Sequence, residues 1–340
     1  MKFIPASNPE IQYYGRWDVS DSASYRHSWP GVFIVAVFDG DSIGVRMADG
    51  TNYYDIYLDG RLERVFHSDN PAVSDYTLLD SLKPGRHTLR LSQRNISFGI
   101  YSFEGLLLSD SGSIYPPPAP PSRRIEFIGD SYTAAEGNEA TQAEMKWEDK
   151  FPVTDIDSGF AAIVARHFDA DYHVTARSGI GMVCDWQGKF EISMPHYFDR
   201  TLMESPVPIW NFKSWTPDLV VICLGLNDHS GLRDKQGKIS TKNSTVFRKG
   251  YRKFLKTVGD VYPGIPILVV SSYEKWIVHN VSLVVDEEQD AGRDNIYFVN
   301  FGCYPGEYVA NGHPDLAAHR QIAGVIIGAI NAMKIFPVDK

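Results

Sequence analysis

Four short stretches hold the residue types that acyl-transfer chemistry requires. They are "GDS" at 129–131, "RSGIG" at 177–181, "GLND" at 225–228 and "NGHP" at 311–314. A serine hydroxyl is a weak nucleophile near neutral pH and needs a base within hydrogen-bond reach, for which histidine is the usual choice. The tetrahedral intermediate carries an oxyanion, and each preorganised N–H donor that meets it contributes roughly 2.7–4 kcal/mol. Ser131 offers a hydroxyl and its own backbone N–H, Gly179 an unobstructed backbone N–H, Asn227 a side-chain NH2 and His313 the base. Each also has an ordinary use. Ser131 can cap a helix, Gly179 and Gly181 can be turn glycines, Asn227-Asp228 can be a turn, and His313 can simply precede a helix. Chemistry is favoured because all four fall at the ends of predicted strands.

Those strands are 124–128, 172–176, 218–224, 265–271 and 296–300, separated by helices that include 159–167, 245–261 and 316–333. In the last helix Ile322, Val325, Ile326, Ala329 and Ile330 recur at helical spacing. Alternating β and α with near-continuous apolar strands predicts a mostly parallel five-stranded sheet covered on both faces, an α/β/α three-layer domain. Sites in such sheets lie beyond the carboxyl ends of the strands. The first part of the chain is different. "GVFIVAVFDG", "NYYDIYLDG" and "RHTLRLSQR" are short apolar or alternating runs punctuated by Asp-Gly and "KPG" turns. That pattern predicts an all-β sandwich or jelly roll. Between the two lies "SIYPPPAPPSRR", whose prolines cannot enter a helix or a central strand. The expected division is a β domain at 1–112, a stiff linker at 113–123 and an α/β domain at 124–340.

A net charge of −9 argues against nucleic-acid or anionic-membrane partners. The basic run "RKGYRK" from Arg248 sits in a helical pattern and reads as a solvated helix face. Cys184, Cys223 and Cys303 are widely spaced with no Cys-x-x-Cys pair, which predicts neither a disulfide framework nor a zinc site. No apolar run reaches bilayer-spanning length. "MKFIPASNPE" has no hydrophobic region of signal-peptide length, so the expectation is an intracellular chain or one that begins after a removed signal.

The four stretches together resemble the SGNH, or GDSL-type, hydrolases. In that family the matching residues are nucleophile, oxyanion donors and base. The resemblance therefore implies Ser131 and His313 as the catalytic pair, and Ser131, Gly179 and Asn227 as the oxyanion hole. "YYGRW" at Tyr13, "WPGVFIVAVFDG" at Trp29, "LKPGRHTLRLSQR" at Leu82 and "FEGLLL" at Phe103 resemble the jelly-roll domain of carbohydrate esterase family 2. That family joins such a domain to an SGNH domain through a proline-containing segment. The resemblance implies removal of O-acetyl groups from plant polysaccharides such as xylan or mannan, with no metal and no organic cofactor.

Two positions depart from the family pattern. Tyr132 stands where Leu is usual, and Ala310 where many members carry the acidic partner of the base. A Ser-His dyad follows, with a backbone carbonyl near 310–312 accepting from His313 Nδ1–H. Asp315 is the nearest carboxylate in sequence, but its place before the last helix fits capping. Asp228 fits support of its own loop, and His319 a structural or exposed role. For a sugar chain, stacking aromatics are expected at the rim. Trp276, which follows the fourth strand, is the first candidate and Trp210 the second, with Trp186 in another loop that could approach. Three other readings use the same residues: a sugar O-acyltransferase, a carbohydrate-binding protein with a degenerate hydrolase half, and an esterase for small lipophilic esters. The expected partner is an acetylated polysaccharide or oligosaccharide.

Overall fold

The structure, a computed structural model, describes residues 1–302 and 308–336. Cys303 lies outside them. The chain divides into two compact units, Met1–Pro120 with Arg200–Trp210, and Pro121–Asp199 with Asn211–Lys340.

The first unit is built from β1 (Lys2–Pro5), β2 (Ile11–Tyr14), β3 (Tyr25–His27), β4 (Phe33–Asp39), β5 (Ile43–Asp49), β6 (Tyr53–Leu58), β7 (Arg61–His67), β8 (Asn70–Leu79), β9 (Arg86–Gln93), β10 (Tyr101–Leu108) and β11 (Ser113–Tyr115). They form an antiparallel sandwich. One sheet runs β1-β10-β5-β8 with β3 on β10, the other β11-β4-β9-β6-β7 with β2 on β4. The apolar run of β4 lies inside its sheet, and alternating β9 buries Leu89 and Leu91 while Thr88 and Arg90 are half-buried. Asp59 and Gly60 take φ of +53° and +80°, the left-handed pair that a two-residue hairpin between β6 and β7 needs. Ile34, Phe38, Val45, Met47, Ile56, Leu89 and Leu106 fill the space between the sheets. Each such side chain contributes about 1.5–3 kcal/mol by leaving water. The proline-rich stretch begins with a strand: β11 pairs with β4, since the prolines start only at Pro116.

The second unit contains β12 (Arg123–Gly129), α1 (Phe160–His167), β13 (Ala170–Ala176), β14 (Leu219–Cys223), α2 (Leu226–Gly231), α3 (Thr241–Val261), β15 (Ile267–Ser271), α4 (Lys275–Asp290), β16 (Ile296–Asn300), β17 (Tyr308–Val309), β18 (His313–Pro314) and α5 (Leu316–Met333). Its parallel sheet has the order β13-β12-β14-β15-β16. From β12 the chain moves one way to β13, then returns and moves the other way through β14 to β16. Right-handed crossovers therefore place α1 on one face and α3 and α4 on the other. α5 packs with α1, and α3 with α4. The reversal of direction leaves a crevice beyond the carboxyl end of β12, between β13 and β14.

α3 begins at Thr241, earlier than its apolar spacing suggests, because the Ser240 hydroxyl caps it by accepting from Asn243 N at 3.1 Å. Of its basic run, Lys249, Arg252 and Lys253 are exposed, but Arg248 is half-buried and donates to Asn280 Oδ1 of α4 at 2.6 Å, while Tyr251, Phe254 and Leu255 are buried. α4 went unanticipated. Its valines and isoleucine favour strands, yet Ile277, Val281, Val284 and Val285 recur at helical spacing and are buried. Cys184 and Cys223 are buried free thiols. No helix among the described residues is long and apolar enough to cross a membrane.

Candidate active site

β12 ends in a turn that only glycine can start. A Cβ on Gly129 would lie 1.9 Å from Thr133 Oγ1. Asp130 closes the turn, its Oδ1 accepting from Tyr132 N at 3.0 Å and its backbone oxygen from Ala134 N at 3.0 Å. No helix directly follows this turn among the described residues, so the capping role open to Ser131 has nothing to cap. Ser131 is 8% exposed, against 1% for Asp130 and Thr133, so its side chain is the accessible one at this lip.

The end of β13 explains the two glycines of "RSGIG". Gly179 has φ +77° in a turn closed by Ile180 N donating to Arg177 O at 3.3 Å, a position that favours glycine. Gly181 is needed for space, because a Cβ there would lie 2.5 Å from Asp228 Oδ2. Asp228, in α2 just beyond β14, accepts from Met182 N and Val183 N at 2.7 Å each and from Cys184 N at 3.3 Å. It organises the loop as expected. Burial pushes its carboxyl up to about 6 against the pull of these N–H groups. Next to it, Asn227 Nδ2 donates to Ile180 O at 2.8 Å and more loosely to Asp130 Oδ2 at 3.3 Å. One amide thereby ties together the ends of β12, β13 and β14. Burial, with the charges of Asp228 and Glu136 adding to it, pushes Asp130 up to about 7 despite the Tyr132 N–H.

His313 starts β18, across a tight turn from β17. Ala310, Asn311 and Gly312 take φ of +46°, +69° and +93°, three left-handed residues in a row. For the two that are not glycine this costs of order 1–3 kcal/mol each, so the surroundings must enforce it. Loop residues do so: Ala310 N donates to Gln142 O at 2.8 Å, Asn311 N to Ala143 O at 2.6 Å, and Met145 N to Asn311 Oδ1 at 3.1 Å. Gly137 makes room, since a Cβ on it would lie 2.4 Å from Ala310 Cβ. The turn aims Ala310 O at His313 Nδ1, 2.6 Å away. A carbonyl can only accept, so Nδ1 carries the proton and Nε2 the lone pair. Tyr132, adjacent to Ser131, donates to Gly312 O at 2.9 Å and lies with its ring 5.8 Å from the imidazole. Glu136 Oε1 lies 3.7 Å from Nε2. No hydrogen bond joins Ser131 Oγ to the ring among the described residues; the serine turn reaches it through Tyr132 and Glu136.

Glu136, Lys150 and Ser178 form a buried cluster here that the residue pattern did not announce. Glu136 Oε1 accepts from Lys150 Nζ at 2.7 Å and its Oε2 from the Ser178 hydroxyl. Only the position of Ser178 beside Gly179 could have drawn attention to it. The Glu136–Lys150 pairing spans a loop with no periodicity to read. Asp315 caps α5, accepting from Ala318 N at 2.7 Å. His319 is fully buried, accepts from Phe160 N at 3.2 Å and stacks on Phe160, a structural position.

The aromatic candidates separate. Trp276 donates from Nε1 to Ser244 Oγ at 3.0 Å and stacks on His229, so it anchors α4 to α3. Trp210 belongs to the first unit, where the Arg16 guanidinium lies 5.2 Å over its ring. Trp186 is 57% exposed and packs on Gly179, where a Cβ would lie 3.0 Å from its Cδ1. Phe190, in the same loop, is also exposed.

The family model for the carbohydrate esterase 2 N-terminal region matches residues 13–118. Cellulase/esterase CelE of Acetivibrio thermocellus is 32% identical over 326 residues, which are 93% of this chain and 38% of that protein. An acetylxylan esterase / glucomannan deacetylase of Cellvibrio japonicus is 32% identical over 242 residues, 68% of this chain and 64% of that protein. The chain thus spans less than two thirds of the length of both relatives. A family two carbohydrate esterase from Clostridium thermocellum, solved in complex with cellohexaose, superposes with a TM-score of 0.87 at 29% identity, covering 96% of this chain and 99% of that one.

Proposed function

This chain belongs to carbohydrate esterase family 2, of the SGNH type, and on that premise we propose that it removes O-acetyl groups from plant polysaccharides, xylan and glucomannan foremost. Ser131 Oγ attacks the acetyl carbonyl as His313 Nε2 takes its proton. The oxyanion is met by the backbone N–H groups of Ser131 and Gly179 and by the Asn227 amide, which gives up its loose contact with Asp130. Collapse of the intermediate breaks the ester C–O bond, and the imidazolium returns the proton to the departing sugar oxygen. Water then repeats the sequence and releases acetate. No metal or cofactor enters.

The observation that carries this reading is the 2.6 Å contact from His313 Nδ1 to Ala310 O. It sets the tautomer that a base needs on Nε2 without an acidic partner. Exposed Trp186 beside Gly179 supports a sugar-chain substrate, since an aromatic face there can stack on a ring next to the ester. Acetate release from acetylated xylan, acetylated glucomannan and a series of aryl esters tests it. Release from a polymer is expected, with acetate preferred over octanoate among the aryl esters. A preference for long acyl chains with no release from either polymer would reject the assignment.

A further inference from the structure

One buried cluster beside the catalytic pair has no part in the scheme above. Glu136 is 3% exposed and Lys150 7%, and they pair at 2.7 Å. Thr154 Oγ1 accepts from Gly137 N and donates to Lys150 O, 2.8 Å each, which clasps the two ends of the intervening loop and fixes the pair at its neck. A buried ion pair is weak evidence for stability, because apolar replacements of similar volume are often as stable or more so. Its position suggests another use. Glu136 Oε1 faces His313 Nε2 at 3.7 Å, and Oε2 holds the hydroxyl of Ser178, the residue before Gly179.

In a Ser-His-Asp triad the carboxylate both orients the imidazole and stabilises the imidazolium formed when it takes the serine proton. Here the two tasks are divided. Ala310 O orients Nδ1 but carries only a carbonyl's partial charge. The full negative charge lies across the ring, on Glu136. While Nε2 holds a lone pair, the carboxylate has nothing to bond at 3.7 Å. Once Nε2 has gained the Ser131 proton, a cation faces that carboxylate. An interaction stronger after proton transfer than before it lowers the barrier rather than only binding substrate.

We propose that Glu136 is a positioning residue of the catalytic pair: it supplies the charge that position 310 lacks, and through Ser178 it holds the Gly179 oxyanion donor in register, while Lys150 fixes the carboxylate in place. This rests on the catalytic reading of Ser131 and His313.

The test uses Glu136→Gln/Lys150→Met, which removes both charges and strands neither, and Ser178→Ala, which leaves the ion pair intact. Each is assayed for kcat and KM on a neutral aryl acetate and for unfolding in urea. The double variant is expected to unfold near the wild-type midpoint while kcat falls about a hundredfold, with KM within about threefold. Ser178→Ala should lose about tenfold in kcat, the worth of one hydrogen bond to a charged group. A purely structural cluster would move stability and leave kcat per folded molecule unchanged, and that result overturns the proposal. If the double variant does not fold, Ser178→Ala decides by the same criterion. Absence of hydrolysis by the unaltered protein would count against the esterase reading itself.

Discussion

At the scale of residues, candidates for chemistry that demands a particular atom stand out in the sequence. Few side chains could fill the roles proposed for Ser131, Asn227 and His313, and their strand-end positions follow from the pattern of apolar runs. The contact of a backbone carbonyl with His313 Nδ1 could also be anticipated, since Ala310 has nothing but a carbonyl to offer. Asp315 is accounted for by its contact with Ala318 N. Asp315→Asn keeps a capping oxygen and should retain turnover of an aryl acetate within about threefold. A loss of a thousandfold in a folded protein would instead make Asp315 the orienting acid. Glu136 and Lys150 were hidden because their charges read as solvent-exposed until a loop closes and buries both.

At the scale of elements, strand identity was more legible than helix identity. β-branched composition masked α4, and a cap extended α3. The three left-handed residues before β18 left only one glycine as a clue; what imposes them is a loop far away in sequence. The elements also carry a titratable signature. Burial holds His319 of α5, packed against α1, down to about 3, with His313 acting in the same direction and Asp315 against it. Burial likewise holds His27 of β3 down to about 4, opposed by Asp49. A lowered histidine contributes stability that is full above the unfolded value near 6.5 and is lost as pH falls toward the folded one. Asp130 and Asp228, raised to about 7 and 6, act oppositely, favouring the fold as pH falls. The histidine term is therefore best read by difference. His319→Asn keeps an acceptor for Phe160 N, and its stability deficit at pH 7 should shrink by about 1.4 kcal/mol per pH unit below 6.5. Urea unfolding of both proteins at pH 7 and 4.5 checks this, and a gap independent of pH would show that His319 does not stay neutral.

At the scale of the whole molecule, the change from alternating strands to alternating strands and helices marked two units, and the prolines marked the stretch between them. The return of Arg200–Trp210 to the first unit was not legible. It depends on Arg16 and Trp29 both donating to Arg200 O, contacts between residues about half the chain apart. Both units bear the family's marks, but the proposed reaction depends on two side chains in the second. The direct measurement is kcat/KM for a neutral aryl acetate in Ser131→Ala, His313→Ala and the double variant. Each single change should lower it at least about a thousandfold with the fold intact, and the double should be little worse than either, because the two act as one unit. Retention of a tenth or more of the activity by either single variant would contradict a Ser131–His313 pair at the centre of the chemistry.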